Sequence, residues 1–312
     1  MATVLVASTG GHLHQLWKLV DRLPIEGRPV WVTFDSEQSR SVLADEDVRF
    51  VPYVEPRGYR SLARCVPRAV TLLRGEEVSS VISTGSGVAL AFLPVAVALG
   101  IPAHYIESAT RLDGPSFTGR WLQRVPRVHL HNQWERWADD RWHYAGSVFD
   151  GYRSVAAGDR ETEVARIVVS CGTVRPYGFR RLLERLIEII PPGAEVLWQT
   201  GATDTAGLAI EARPDMAEAE LRAAIGDADV VIAHAGTGIS LTALEEGKLP
   251  LLVPREHAHD EHIDDHQFQT AEALSGLGLA HVRRVDDLAI DDLLHVAGRR
   301  VSRSDDIPPM RL

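Results

Sequence analysis

The chain has 312 residues, 45% of them hydrophobic and 24% charged, which suits two globular domains and excludes a disordered, collagen-like or coiled-coil protein. Its two cysteines exclude a disulfide framework and indicate a reduced, cytoplasmic compartment. Residues 1–150 carry 16 basic and 16 acidic side chains, whereas residues 151–312 carry 17 and 27, and this acidic balance argues against nucleic-acid binding.

Short apolar strands alternate with helices through the first half of the chain. Strands are predicted at 3–7, 30–34, 78–83, 102–106 and 128–131. Three of them end in polar or glycine-rich turns, at 8–12, 84–87 and 107–108. The βαβ rhythm predicts a parallel sheet with helices on both faces.

The second half repeats this rhythm after a polar stretch. Strands are predicted at 166–170, 196–200, 229–233 and 250–254. The sequence therefore predicts an α/β protein of two Rossmann-like domains that face each other across a cleft. The predicted boundaries are an N-terminal domain at 1–150, a linker at 151–165, a C-terminal domain at 166–300 and a flexible tail at 301–312.

Three glycine-bearing turns follow strands and precede helices. They contain Gly10 and Gly11, Gly172 and Thr173, and Gly236, Thr237 and Gly238. Each would place backbone N–H groups at a helix N-terminus, where an anion is stabilised, although each is equally explained as a tight turn. None is a Walker A loop or a full dinucleotide fingerprint, so the turns favour a diphosphate held without a P-loop lysine.

The segment 257–267 is dense in His, Asp and Glu. These are metal-ligand residue types, and His262 and His266 would share one helix face. The segment lacks the H-E-x-x-H spacing, and its mixture of donors and acceptors favours a loop that hydrogen-bonds a hydroxyl-rich ligand. We therefore predict no metal site.

Two features bear on membranes. The longest apolar run, 88–101, is too short to span a bilayer and is either a buried helix or a membrane-docking patch. A basic run recurs at helical spacing and is either a solvated helix face or a surface for anionic lipid head groups. Its members are Arg57, Arg60, Arg64, Arg68 and Arg74.

Several short motifs occur in the order found in one enzyme family. The stretch 228–238, the helix end at 243–248 and the run 264–267 resemble the donor half of glycosyltransferase family 28. The turns at 8–12, 83–87 and 107–108 resemble the acceptor subunit of the two-subunit UDP-GlcNAc transferase of lipid-linked oligosaccharide synthesis and its bacterial polysaccharide relatives. The chain resembles both subunits fused, with the acceptor part first.

The resemblance implies a GT-B fold and an inverting, metal-independent transfer of a hexose (GlcNAc-type, Gal or GlcA) from a UDP-sugar to a polyprenyl-diphosphate-linked sugar. It implies no cofactor besides this donor substrate, and a cytoplasmic protein with peripheral contact at the inner face of the plasma membrane. The implied donor residues are Gly172, Thr173, His234, Gly236, Thr237, Gly238, His266 and Gln267. The implied acceptor residues are Gly10, Gly11, Ser86 and Arg111.

Two residues are candidates for the catalytic base. His12 follows the first glycine turn, and Glu107 ends a strand at the sheet edge where ligands of such folds bind. We favour Glu107 as the base and His12 as a positioning residue, while an ion pair between Glu107 and Arg111 is the structural alternative. A departure from the family concerns the ribose-binding glutamate, whose place is taken by Thr242.

Three other functions remain open from the sequence. They are a soluble glycosyltransferase with a small-molecule acceptor, a UDP-sugar 2-epimerase and a catalytically idle binding partner. The first would not bind vesicles, the second would need no acceptor, and the third would tolerate loss of both candidate bases.

Overall fold

The structure is a computed structural model that describes residues 1–55, 58–75, 77–158, 164–172, 177–262 and 266–312, without the side chain of His266. The chain forms two compact units. The first comprises residues 1–150 together with 307–312, and the second comprises residues 151–306.

The first unit is built on a seven-stranded parallel sheet. Its strand order is 3-2-1-4-5-6-7, so the order reverses between the first and fourth strands, where ligands of open α/β sheets bind. The strands are β1 (Ala2–Ala7), β2 (Arg28–Phe34), β3 (Val48–Val51), β4 (Val78–Gly85), β5 (Ala103–Ile106), β6 (Val128–Asn132) and β7 (Trp142–Tyr144).

Five helices accompany this sheet. They are α1 (Gly11–Leu19), α2 (Glu37–Val42), α3 (Tyr59–Gly75), α4 (Ala89–Ala98) and α5 (Phe117–Leu122). In α3 the apolar residues Cys65, Ala69 and Leu73 recur every four residues and face the core. The arginines of the basic run that the structure describes therefore lie on its exposed side.

The apolar run at 88–101 forms α4, whose residues Phe92 and Leu93 are fully buried against the sheet. The run is therefore a core helix. Its burial stabilises the fold by about 25 cal/mol for each Å² of apolar surface that is removed from water. Within the described residues, no helix is both long enough and apolar enough to cross a membrane.

The second unit contains a six-stranded parallel sheet and a two-stranded antiparallel sheet. The order of the larger sheet is 11-10-9-12-13-14, and strands 8 and 15 pair with each other. The strands are β8 (Tyr152–Ala156), β9 (Arg166–Ser170), β10 (Glu195–Gln199), β11 (Ala212–Arg213), β12 (Val230–Ala233), β13 (Leu251–Leu252), β14 (His281–Val282) and β15 (Arg299–Arg303). The helices are α6 (Arg180–Ile189), α7 (Glu218–Asp227), α8 (Thr237–Glu245), α9 (His266–Gly276) and α10 (Ile290–Ala297).

The structure differs from the predicted linker and tail. Strand β8 lies within the predicted linker 151–165 and pairs with β15, which runs three residues beyond the predicted domain end at 300. Residues 307–312 of the predicted flexible tail belong to the first unit, where Met310 is buried. The buried Arg22 guanidinium holds this segment, because its Nε donates to the Pro308 carbonyl at 2.9 Å while its Nη2 pairs with Asp150 at 2.7 Å.

Candidate active sites in the two units

The first unit contains a cavity of about 330 Å³ at the carboxyl ends of its central strands. The turns after β1, β4 and β5 meet there because these strands are neighbours in the sheet. Four of the predicted residues line the cavity, namely His12, Ser86, Glu107 and Arg111. Gly10 and Gly11 are not among the lining residues.

His12 is held as a neutral imidazole with one free nitrogen. Its Nδ1–H donates to the Thr84 carbonyl at 2.7 Å, and the Thr84 hydroxyl donates to the His12 carbonyl at 2.8 Å. Burial lowers the pKa of His12. The hydrogen bond to Thr84 acts in the opposite direction, and the charge of Arg111 lowers the pKa further. Gly85 provides the space, since a Cβ there would lie 3.2 Å from the imidazole ring. Nε2 is left with its lone pair, as a general base requires.

Glu107 is completely buried, and donors occupy both carboxylate oxygens. Oε1 accepts from the Tyr105 hydroxyl and the Ser108 N–H, both at 3.1 Å, while Oε2 accepts from the Ser116 N–H at 2.8 Å. Burial raises the pKa of Glu107, and these hydrogen bonds partly offset the increase. The carboxylate thus fixes the chain on both sides of the segment 108–116.

A buried amide pair supports the same segment from below. Gln15 donates to the Ser108 hydroxyl at 3.0 Å and accepts from the Ala109 N–H at 2.9 Å. Gln133 donates to the Glu107 carbonyl at 3.0 Å and to Gln15 Oε1 at 3.1 Å. The turn that carries Glu107 and Arg111 is therefore preorganised by Gln15 of helix α1 and by Gln133, the residue after strand β6.

Arg111 lies on an irregular turn, so the alternative of a helical ion pair with Glu107 does not apply. Its side chain is exposed and makes no ion pair with any described residue. Gly10 has a φ of +84°, which favours glycine, but its N–H donates to Gln38 Oε1 at 2.6 Å. In this structure that N–H is consequently not available to an anion.

The second unit brings its predicted glycine turns together at the carboxyl ends of β9 and β12. The His234 ring lies between them, because a Cβ at Gly172 or at Gly236 would each lie 2.5 Å from a ring atom. His234 Nδ1 donates to the Ser170 carbonyl at 3.2 Å. Burial lowers the pKa of His234 to about 4, assisted by the charge of Arg255. The ring is therefore neutral at pH 7, and both glycines are required by its bulk.

Helix α8 begins directly after Gly236, so its first N–H groups lack helical partners. Gly238 has open space around it, and the Thr237 hydroxyl is buried without a partner among the described residues. Thr242, at the place of the family's ribose-binding glutamate, donates its hydroxyl to the Gly238 carbonyl at 3.1 Å. Glu245 and Glu246 lie further along and both pair with Arg222 at 2.7 Å, which removes them as replacements.

The polar segment that follows β13 is anchored by its own charges. Arg181 of α6 binds Glu256 and Glu261, each at 3.0 Å, and the Glu256 N–H donates to Glu261 at 3.0 Å. Gln267 is buried, and its Oε1 accepts from the Arg255 N–H at 3.0 Å, which leaves only its Nε2 for a ligand. The prediction for Thr173 falls outside the described residues, as does that for the His266 side chain.

Metal-ligating residue types do not converge in the part of the chain that the structure describes. No group of three or more His, Cys, Asp or Glu side chains with suitable geometry is found there. In the polar segment, His257 Nδ1 instead donates to the His262 carbonyl at 3.0 Å.

Several lining residues of the first cavity were not predicted from the sequence. Tyr105 lies on β5 between His104 and Ile106 and is buried like a core residue, so nothing in the sequence around it indicates a site. Tyr59 and Phe117 open helices α3 and α5 and line the cavity, although both are partly exposed, at 66% and 39%. Their exposure beside a cavity is visible only in the structure, so no signal in the sequence would have found them.

In sequence, the chain is similar to a family and to a protein that transfer sugars. The model of the glycosyltransferase family 28 C-terminal domain matches residues 167–295. A UDP-N-acetylglucosamine--N-acetylmuramyl-(pentapeptide) pyrophosphoryl-undecaprenol N-acetylglucosamine transferase from Prosthecochloris aestuarii is 24% identical over 318 aligned positions. That alignment covers 91% of this chain and 85% of the relative.

Solved structures resemble the fold over nearly the whole chain. The crystal structure of MurG from Acinetobacter baumannii has a TM-score of 0.59 at 18% identity, with 95% of this chain and 89% of that chain covered. A UDP-N-acetylglucosamine 2-epimerase has a TM-score of 0.62 at 11% identity, with 95% and 86% covered.

Proposed function

We propose that the chain is a GT-B glycosyltransferase that transfers a hexose from a UDP-sugar to a sugar on polyprenyl diphosphate. The match of residues 167–295 to the family 28 C-terminal domain, the similar N-acetylglucosamine transferase and the similar fold of MurG support this proposal. The donor sugar is of the GlcNAc, Gal or GlcA type. The cavity of the first unit carries the proposal, because a neutral histidine, an ordered carboxylate and an unpaired arginine all line it.

The acceptor binds in this cavity. Arg111 is the one cation among the described residues that line it, and a guanidinium matches a phosphate through paired hydrogen bonds. Apolar side chains such as Leu62, Leu90 and Phe117 line the rest. Such a mixed lining suits a ligand that joins a sugar and a diphosphate to a hydrocarbon chain.

His12 removes the acceptor proton. The hydroxyl proton passes to Nε2, the oxygen attacks the anomeric carbon, and the bond from this carbon to the diphosphate breaks with its electron pair leaving on UDP. The configuration at the anomeric carbon is thereby inverted. His12 suits this role better than Glu107, because each Glu107 oxygen already accepts a hydrogen bond. Glu107 then acts by ordering the turn that carries Arg111.

The second unit binds the donor. The N–H groups at the start of α8, from Thr237 and Gly238, face the diphosphate, and the helix dipole stabilises the charge that develops as UDP leaves. Gln267 Nε2 reaches a sugar hydroxyl. Because the Thr242 hydroxyl is bonded to its own helix, other groups recognise the uridine. In this proposal the helix N-terminus takes the place of a divalent cation.

The chain contacts the cytoplasmic face of the membrane through the rim of the acceptor cavity. Tyr59 and Phe117 lie at this rim, and Trp121, whose ring centre is 6.3 Å from that of Phe117, is 46% exposed. Arg60 and Arg64, on the exposed face of α3, make no ion pair with a described residue. Aromatic side chains flanked by cations match an anionic bilayer surface, where each cation contributes about 1 kcal/mol.

The membrane proposal is tested by sedimentation with vesicles of anionic lipid. Changing Arg60→Glu and Arg64→Glu together reduces the bound fraction strongly, whereas the same charge change at Arg153 and Arg303 of the second unit leaves it almost unchanged. Equal losses in the two double variants would contradict a specific membrane face and favour a small-molecule acceptor.

The transfer proposal is tested with purified protein, labelled UDP-sugars and a synthetic polyprenyl-diphosphate-linked sugar in the presence of EDTA. His12→Ala lowers kcat by about 10²- to 10⁴-fold without changing UDP affinity. His129→Ala, which alters an exposed histidine of β6, is the matched control and keeps full activity. Retained activity in His12→Ala would remove the base assignment. Conversion of the UDP-sugar without any acceptor would instead indicate an epimerase.

A further inference from the structure

Arg255 is a buried cation without an ion-pair partner. It follows β13, is 1% exposed and forms no salt bridge with any residue that the structure describes. Its Nη2 donates to the Cys171 carbonyl, its Cζ lies 5.8 Å from the centre of the Phe179 ring, and its Nε is buried without a partner. Isolated buried charges are costly, so such a residue calls for a compensating anion.

The acids nearby do not supply that anion. Burial raises the pKa of the Cys171 thiol to about 11, so Cys171 carries no charge at pH 7. The charge of Glu261 acts on Arg255, but both Glu261 oxygens are already held by Arg181 and by the Glu256 N–H. Burial consequently remains the dominant influence and lowers the pKa of Arg255. An additional negative group near the guanidinium would lower the free energy of the folded protein.

The position of Arg255 indicates where this negative group binds. Its hydrogen bond goes to Cys171, the residue before Gly172, and its charge acts on His234, which lies between the two glycine turns. Strands β9, β12 and β13 are adjacent in the sheet, so Arg255 comes from the third neighbouring turn at the same edge. The buried Thr237 hydroxyl without a partner is a second unsatisfied polar group at this edge.

We infer that Arg255 is a positioning residue for the donor diphosphate. It fixes the Cys171 carbonyl next to Gly172, and it adds a permanent positive charge that acts on His234 between Gly172 and Gly236. The inference rests on the proposed function, which places a nucleoside diphosphate at this edge. In a medium of low dielectric, a fixed charge acts on a ligand through intervening backbone without touching it.

The charge requirement separates this role from a merely structural one. UDP carries its negative charge on the diphosphate, whereas uridine carries none. Arg255→Met is expected to weaken UDP binding by about tenfold or more and uridine binding by much less. Arg255→Lys keeps the cation and should preserve most of the UDP-to-uridine affinity ratio. Phe179→Leu disturbs the packing around the guanidinium but keeps the charge, so the ratio should be unchanged.

The experiment is calorimetric titration of wild type and the three variants with UDP and uridine, with thermal unfolding as the check on folding. A ratio that falls only in Arg255→Met supports the inference. A ratio unchanged in Arg255→Met, or equal losses for both ligands, overturns it while the proposed function stands. Absence of UDP binding by the wild type would overturn both.

A measurement on the wild type covers the case in which Arg255→Met does not fold. Because the Nε–H of Arg255 is buried, we expect it to exchange slowly with water and to give its own signal in a ¹⁵N spectrum. UDP should shift this signal and uridine should not, whereas no shift with saturating UDP would overturn the inference.

Discussion

The substitution Gly236→Ala tests whether the glycine turns of the second unit are shaped by the His234 ring. Gly236 has a φ of −74°, so alanine brings no backbone strain, and only the new methyl group matters. That methyl would lie 2.5 Å from His234 Nε2, about 1 Å closer than a normal contact. Gly172 confines the ring on its other side. Overpacking of this kind costs about 1–3 kcal/mol, and the upper half applies because the ring cannot move away.

The assay is urea-induced unfolding of wild type and variants, together with UDP titration. Gly236→Ala should lower the free energy of unfolding by about 2–3 kcal/mol, and most of this loss should vanish when His234→Ala is already present. Gly238→Ala is the matched control, because open space surrounds that position in α8 and alanine favours a helix by about 0.5–1 kcal/mol. The reasoning is refuted if both alanine variants lose equal stability, or if His234→Ala gives no rescue.

Two further predictions concern the first unit. Burial lowers the pKa of His104 to about 4 and that of His131 to about 3, against 6.5 when unfolded, so the unfolded chain binds more protons below pH 6.5. The contribution of these two histidines to the free energy of unfolding is fully present above pH 6.5. It falls as the pH drops towards 4, and the loss at pH 5 is about 2 kcal/mol per histidine. Urea unfolding at pH 7.5 and 5.0 should show a smaller drop in His104→Gln/His131→Gln, and an equal drop would contradict this. Gln133→Leu deprives the Val148 N–H of its acceptor and Gln15 of a donor, at a cost of about 2–4 kcal/mol. Transfer kinetics should show a lower kcat/KM for the acceptor with UDP affinity unchanged, whereas a change confined to UDP affinity would count against the amide pair.

The fold was accessible from the sequence because its signals are local. Apolar strands ending in glycine or polar turns predicted the α/β class, and the GT-B fold is confirmed. The boundaries were less accessible, since β8 and β15 are polar strands that pair across almost 150 residues. Residues 307–312 belong to the first unit, where Arg22 donates to the Pro308 carbonyl. No local sequence pattern near either residue indicates that contact.

The sites were accessible only in outline. Neighbouring strands bring the turns of each unit to one edge of its sheet, and the binding roles of these turns stay predictions. The reason for Gly172 and Gly236 was not accessible, because the clash with His234 arises from packing between two strands. Arg255 likewise follows an ordinary strand ending in proline, and its burial depends on Cys171 and Phe179, both more than 70 residues earlier.

The central claim is that the second unit binds a UDP-sugar without a metal ion. Calorimetric titration of the full chain with UDP, GDP, TDP and ADP in EDTA tests it most directly. We expect UDP to bind with the lowest Kd, and one UDP-sugar to bind more tightly than UDP itself. Preference for another nucleotide, or binding that appears only when Mg²⁺ replaces EDTA, would contradict the claim.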